Sequence, residues 1–235
     1  MYGFYYFDYT YFLFMIPALI VSLYAQFKVH STFSKYSKVR NTKGLTGADA
    51  ATKVLMQHGI TNVTVEHIRG ELNDHFDPRT DVIRLSDSVY SSESVAAVGV
   101  AAHEAGHAVQ HANGYSPMKI RKALVPVTNI GSTLSMPFIF IGLMLPVQYD
   151  FIVNIGIALF SLAVLFQLIT LPVEFDASRR AIETLEQTDA LYGEELEGAK
   201  KVLSAAAMTY LAATFTAILS LLRLILIAGN RRGND

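Results

Sequence analysis

Four stretches of this chain are apolar, carry no charge and approach or exceed the roughly 20 residues a helix needs to cross a bilayer. They are residues 9–27 (YTYFLFMIPALIVSLYAQF), a run within 123–149 centred on MPFIFIGLMLP, residues 151–173 (FIVNIGIALFSLAVLFQLITLPV), and residues 202–222, which continue past Arg223 as LILIAG. Little more than Asp150 separates the second from the third, which predicts a tight helical hairpin. No Lys or Arg precedes the first run and no small-residue cleavage site follows it, so it is expected to be a retained helix rather than a cleaved leader. Arg223, near the end of the fourth run, is expected to snorkel to the interface.

The polar stretches between these runs have other periods. GLTGADAATKVLMQHG predicts a short helix with Thr46 as N-cap and Gly59 as its stop. NVTVEHI and TDVIRLSD alternate as strands do, joined through the turn-forming GELNDHFDPR. SSESVAAVGVAAHEAGHAVQHA predicts a long helix opened by Ser91 or Ser92, with Glu93 in its first turn. RAIETLEQTDALYGEELEGAKKVL predicts an amphipathic helical segment with its charges facing solvent. The expected organisation is a transmembrane helix over 1–28, an α+β domain over 29–122, a transmembrane hairpin over 123–173, a helical segment over 174–201 and a fourth transmembrane helix over 202–230.

Composition agrees with a membrane protein: 51% of the 235 residues are hydrophobic and 17% are charged. The formal net charge of −1 argues against a nucleic-acid partner held by bulk charge. Basic residues are distributed unevenly. Lys28, Lys35, Lys38, Arg40 and Lys43 follow the first run, and Arg179, Arg180, Lys200 and Lys201 lie between the third and fourth. With four spans these segments share one face, which the positive-inside tendency makes cytoplasmic. Arg231 and Arg232 run against that assignment, because they fall on the opposite side.

Cys is absent, so a metal site here must use His and carboxylate ligands. In HEAGH, His103 and His107 share one helical face about 6 Å apart along the axis, a spacing at which two imidazoles converge on one Zn²⁺. Glu104, turned roughly 100° from His103, then reaches a water at the ion as general base. His111 is about 12 Å along the axis from His103, too far to share that ion, and is expected at the surface, behind a ligand or on the substrate side. The third ligand is expected after the third apolar run, in LPVEFDASRRA. Glu174 is favoured over Asp176, which lies about 200° around the helix from it. A role for both carboxylates in capping a helix start stays open. Candidates for stabilising an oxyanion are His75, Tyr90, Tyr192 and Arg179, and DVIRLSD either offers an edge to an extended substrate or is an ordinary packed strand.

The stretches DHFDPRTDVIRLSDSVY, VAAHEAGHAVQH, RKALVPVTNIGS and LPVEFDASRRA make the chain resemble, essentially end to end, the bacterial membrane-bound neutral zinc metallopeptidases of the YugP type. It is more distantly similar to integral-membrane gluzincins of the HtpX and CAAX-prenyl-protease class, which carry HExxH and a later E-x-x-x-D. The resemblance implies a mainly α integral membrane protein with about four transmembrane helices and a small α+β cytoplasmic zincin-like domain. It implies one Zn²⁺ per chain on His103, His107 and Glu174, with Glu104 catalytic. Ser178 stands where the distant class has its aspartate, so Ser178 or Asp176 is expected to support a ligand instead. The expected function is endopeptidase action on membrane-associated or unfolded polypeptides at the cytoplasmic membrane surface. The alternative is a non-catalytic adaptor or chaperone stapled by zinc. Polypeptide substrate and lipid bilayer are the expected partners; membrane-protein partners and a homo-oligomer stay open.

Overall fold

A computed structural model describes residues 9–233, so the first eight residues of the predicted 1–28 helix lie outside the described residues. The elements run α1 (Tyr9–Tyr36), α2 (Gly47–Gln57), β1 (Thr64–His67), β2 (His75–Asp77), β3 (Val82–Leu85), α3 (Val95–Ala112), α4 (Ser116–Met144), α5 (Phe151–Gln187) and α6 (Gly193–Gly233). Each of the four apolar runs forms part of a helix long enough to cross a membrane: α1, α4, α5 and α6. All four helices extend beyond their runs. Residues 174–187 continue α5 unbroken, and α6 begins nine residues before residue 202.

The described residues divide into two compact units. One comprises the chain up to Tyr24, Arg121–Ile169 and the chain from Tyr210 on. Its helices present Leu13, Ile130, Phe140 and Met144 outward, an apolar surface too extensive to face water without cost. The expected hairpin forms, with α4 and α5 joined through residues 145–150. The helices touch at Gly156, where an added Cβ would lie 2.5 Å from Ile139 Cγ1. Arg231 of α6 donates to the carbonyls of Gly142 and Leu145 at the end of α4 and pairs with buried Asp150 at 3.4 Å. The Arg223 guanidinium lies over the ring of Tyr11, 5.0 Å from its centroid.

The other unit comprises Ala25–Ile120 and Thr170–Thr209. Its core packs α2, the sheet and α3 with the adjoining parts of α5 and α6, through Val54, Ile83, Leu85, Val98, Val109, Leu185 and Leu203 among others. Thr46 caps α2 as expected: its hydroxyl accepts from the Asp49 N–H while Asp49 accepts from the Thr46 N–H. Gly59, just beyond the end of α2, has φ +66°.

Three expectations for this unit need correction. The N-cap of α3 is Ser94, not Ser91 or Ser92: Ser94 is extended and accepts from the Ala97 N–H. Glu93 therefore precedes the helix and pairs with Arg40. The segment expected to be only a turn contains a strand, β2, antiparallel to β3, while β1 pairs with β3 in parallel. The sheet order is β1-β3-β2, so DVIRLSD forms the central strand and has no free edge for a substrate.

Candidate metal centre

Helix α3 is small-residue rich, which lets it lie deep in its unit: Ala97, Ala101, Ala102, Ala105 and Ala108 are buried along it. Its approach to α5 depends on Gly106. A Cβ there would fall 2.5 Å from the carbonyl oxygen of Ala177, so the fourth residue of HEAGH must lack a side chain. That close passage brings the imidazoles of α3 against the face of α5 that carries Glu174.

His103, His107 and Glu174 come together, with one potential ligand atom from each lying within 4.8 Å of the others. Both imidazole Nε2 atoms stand 3.4 Å from Glu174 Oε2. That is longer than a charge-assisted N–H···O bond, about 2.7–2.9 Å. It matches the edge of a tetrahedron of ligands around zinc, about 3.3 Å for bonds of about 2.0–2.1 Å. The histidines are mostly buried and Glu174 is 2% exposed. A buried carboxylate between two imidazoles fits a divalent cation, which would neutralise it and accept both nitrogen lone pairs.

The remaining ring nitrogens are engaged as metal-binding histidines require. His103 Nδ1 lies 3.0 Å from Ser178 Oγ. His107 Nδ1 lies 3.1 Å from Gln110 Oε1. Ser178 and Asp176, the two residues expected to support a ligand, lie on the sides of different histidines. Ser178 touches His103 directly, and Asp176 reaches His107 through Gln110, which donates to it at 2.9 Å. Asp176 takes no place among the three converging groups; Arg179 and Arg180 hold it at 2.5 and 2.6 Å.

Glu104 is buried beside the pair and accepts the backbone N–H of Phe76 at 3.0 Å through Oε2. Burial pushes its carboxyl above the usual carboxylate range, against the pull of the two imidazoles. Burial alone would lower His107, but the Glu174 and Glu104 carboxylates outweigh it and hold the imidazole above its ordinary range.

The other candidates point elsewhere. His111 stacks at a tilt on Phe76 and lies 3.8 Å from Asp81. His75 is exposed, with Nδ1 2.8 Å from the Asn73 carbonyl. Tyr90 meets the ring of His67, the Tyr192 hydroxyl pairs with Thr42, and Arg179 is shared by Asp176 and Glu183. Two contributors escaped the sequence. Gln110 carried a usable signal, since three residues after His107 it shares the same helical face. The Phe76 N–H carried none, because a backbone donor is independent of side-chain identity.

The family described as "Putative neutral zinc metallopeptidase" matches residues 11–229. The "Putative membrane protease YugP" of Bacillus subtilis (strain 168) is 46% identical over 220 residues, covering 94% of this chain and 97% of that protein. No solved structure matches the chain.

Proposed function

The chain belongs to the neutral zinc metallopeptidase family, and from that premise we propose that it is a membrane-embedded, zinc-dependent endopeptidase of gluzincin type. The observation that carries this reading is the convergence of His103, His107 and Glu174 beside a buried, backbone-held Glu104. The three groups would hold one zinc ion per chain. When bound, zinc supplies Lewis-acid polarisation of the scissile carbonyl and acidifies water toward neutral pH.

The rest is work for this chain's own residues. The Phe76 N–H fixes Oε2 of Glu104, and Oε1 is the atom that takes the proton from the attacking water. The raised proton affinity that burial gives this carboxyl suits a base that later returns the proton to the leaving amine. Gln110 and Ser178 hold the two imidazoles so that Nε2 of each faces Glu174. Phe76 belongs to β2, an edge strand.

Membrane-associated or unfolded polypeptides are the substrates this reading favours. Glu174 follows the apolar run of α5 in the same helix, which supports a carboxylate close to where that helix leaves the hydrocarbon. A cytoplasmic position is supported by the basic residues after the first apolar run and between the third and fourth. The contrary weight of Arg231 is reduced, because its charge is committed to Asp150 and the end of α4.

The test is casein cleavage and zinc content of the detergent-purified protein, wild type against Glu104→Gln. The proposal expects turnover in the wild type and zinc without turnover in the variant. Cleavage by the variant would sink the mechanism, and a zinc-loaded wild type with no cleavage of unfolded or membrane substrates would favour the adaptor.

A further inference from the structure

Gln110 is fully buried, and each end of its side-chain amide has a partner. Its Nε2 lies 2.8 Å from the carbonyl oxygen of Val173 and 2.9 Å from Asp176 Oδ2. A carbonyl, and a carboxylate already held by two arginines, can only accept hydrogen bonds. The NH₂ end of the amide must therefore face them. The opposite end, Oε1, accepts only, and it lies 3.1 Å from His107 Nδ1. Nδ1 must then carry the hydrogen, so in the neutral ring the lone pair of His107 is on Nε2, facing Glu174. No comparable constraint acts on His103, because the Ser178 hydroxyl can donate or accept.

We propose that Gln110 is a positioning residue that locks His107 in the Nδ1–H tautomer, and that Asp176 acts on the metal centre through it. Resting on the zinc reading above, this assigns unequal supports to the two histidines. His103 has a rotatable hydroxyl. His107 has an amide whose orientation is enforced from α5 by Val173 and by Asp176, the latter clamped by Arg179 and Arg180. Gln110 also ties α3 to α5 next to Glu174, so the same side chain sets the ring of one ligand and the distance to another.

Zinc affinity, measured by chelator competition on the full chain in detergent, tests the relay. Gln110→Met replaces the amide with an apolar side chain of similar length and should weaken zinc binding about 10- to 100-fold, the range seen when a ligand's outer partner is removed. Asp176→Asn should weaken binding in the wild-type background and add nothing in the Gln110→Met background. Ser178→Ala acts on the other histidine, so its effect should multiply with that of Gln110→Met. A purely structural role for Gln110 would not produce that pattern of coupling. Affinity within twofold of wild type in Gln110→Met, or a full additional loss from Asp176→Asn in that background, would overturn the relay.

A second measurement needs no variant of Gln110. In zinc-free wild type, at a pH raised until the ¹⁵N shifts show the His107 ring neutral, long-range ¹H–¹⁵N spectra should show His107, assigned through its loss in His107→Asn, with its hydrogen on Nδ1. A hydrogen on Nε2 would refute the proposal. Failure of wild type to bind zinc at all would instead remove the zinc reading, while this tautomer result would still stand or fall on its own.

Discussion

Replacing Gly106 by Ala sets two effects of opposite sign against each other. By helix propensity alone the change should stabilise, since Gly within a helix costs about 0.8–1.0 kcal/mol relative to Ala. The structure reverses that expectation. The new Cβ would lie 2.5 Å from the Ala177 carbonyl oxygen, whereas a C···O contact is comfortable at about 3.3 Å or more. Relief requires α3 and α5 to part by about 0.8 Å, since both contacting groups are anchored in helices and the oxygen is backbone. Ligand positions around zinc tolerate about 0.2 Å, so the displacement is about four times what the centre can absorb. Overpacking of this kind costs about 1–3 kcal/mol, enough to cancel the propensity gain.

We therefore expect Gly106→Ala to lose zinc affinity by on the order of 100-fold, at or beyond the loss from removing an outer partner. Its zinc-free form should be no more stable than wild type. Gly99 provides the control on the same helix. A Cβ there meets Ala199 Cβ at 3.4 Å, an ordinary contact, so Gly99→Ala should keep zinc affinity and gain stability. Chelator competition and thermal unfolding in detergent, run on both variants, decide the matter. A Gly106→Ala protein that binds zinc as tightly as wild type and melts higher would refute the close-approach argument.

Three further outcomes are expected. Zinc uptake by the metal-free protein should fall as pH drops, because the lone pair of His107 must be free to bind. With His107 held above the ordinary imidazole range, the loss should begin at higher pH than for an unperturbed histidine, about 6.5. Uptake unchanged from pH 8 to about 6 would contradict this. His111→Ala should retain full zinc stoichiometry by metal analysis, because His111 is engaged with Phe76 and Asp81. Arg231→Ala should lower the unfolding temperature in detergent, corresponding to about 2 kcal/mol for the loss of charged hydrogen bonds to the end of α4. An unchanged melting curve would show that the contact is dispensable.

How far the sequence reached depended on whether a feature is periodic and local. The four apolar runs, the Thr46 cap and the His103–His107 spacing each depend on a few neighbouring residues, and the structure carries all of them. The short β2 strand depends on pairing with β3, so a segment rich in Asn, Asp, Pro and Gly looked like turn alone. Sheet order is likewise a property of the assembled unit, which is why an edge and a packed position stayed open for DVIRLSD until the order β1-β3-β2 placed it in the centre. At the start of α3 several serines compete, and only the backbone conformation at Ser94 selects the cap. Helical rotation allowed only one of Glu174 and Asp176 to face a metal, and Glu174 was favoured because it emerges directly after the third apolar run. The link from Asp176 to His107 through Gln110 needed α3 and α5 side by side. Gly106 permits that proximity, but its clearance from Ala177 is a tertiary distance.

The central claim is that α3 and α5 jointly build one zinc centre from His103, His107 and Glu174. Zinc per chain after equilibration with excess metal and removal of free ions tests it most directly, in wild type, Glu174→Gln and Asp176→Asn. The account predicts about one zinc in the wild type, little or none in Glu174→Gln, and retained though weaker-bound zinc in Asp176→Asn. Zinc retained by Glu174→Gln and lost from Asp176→Asn would contradict it.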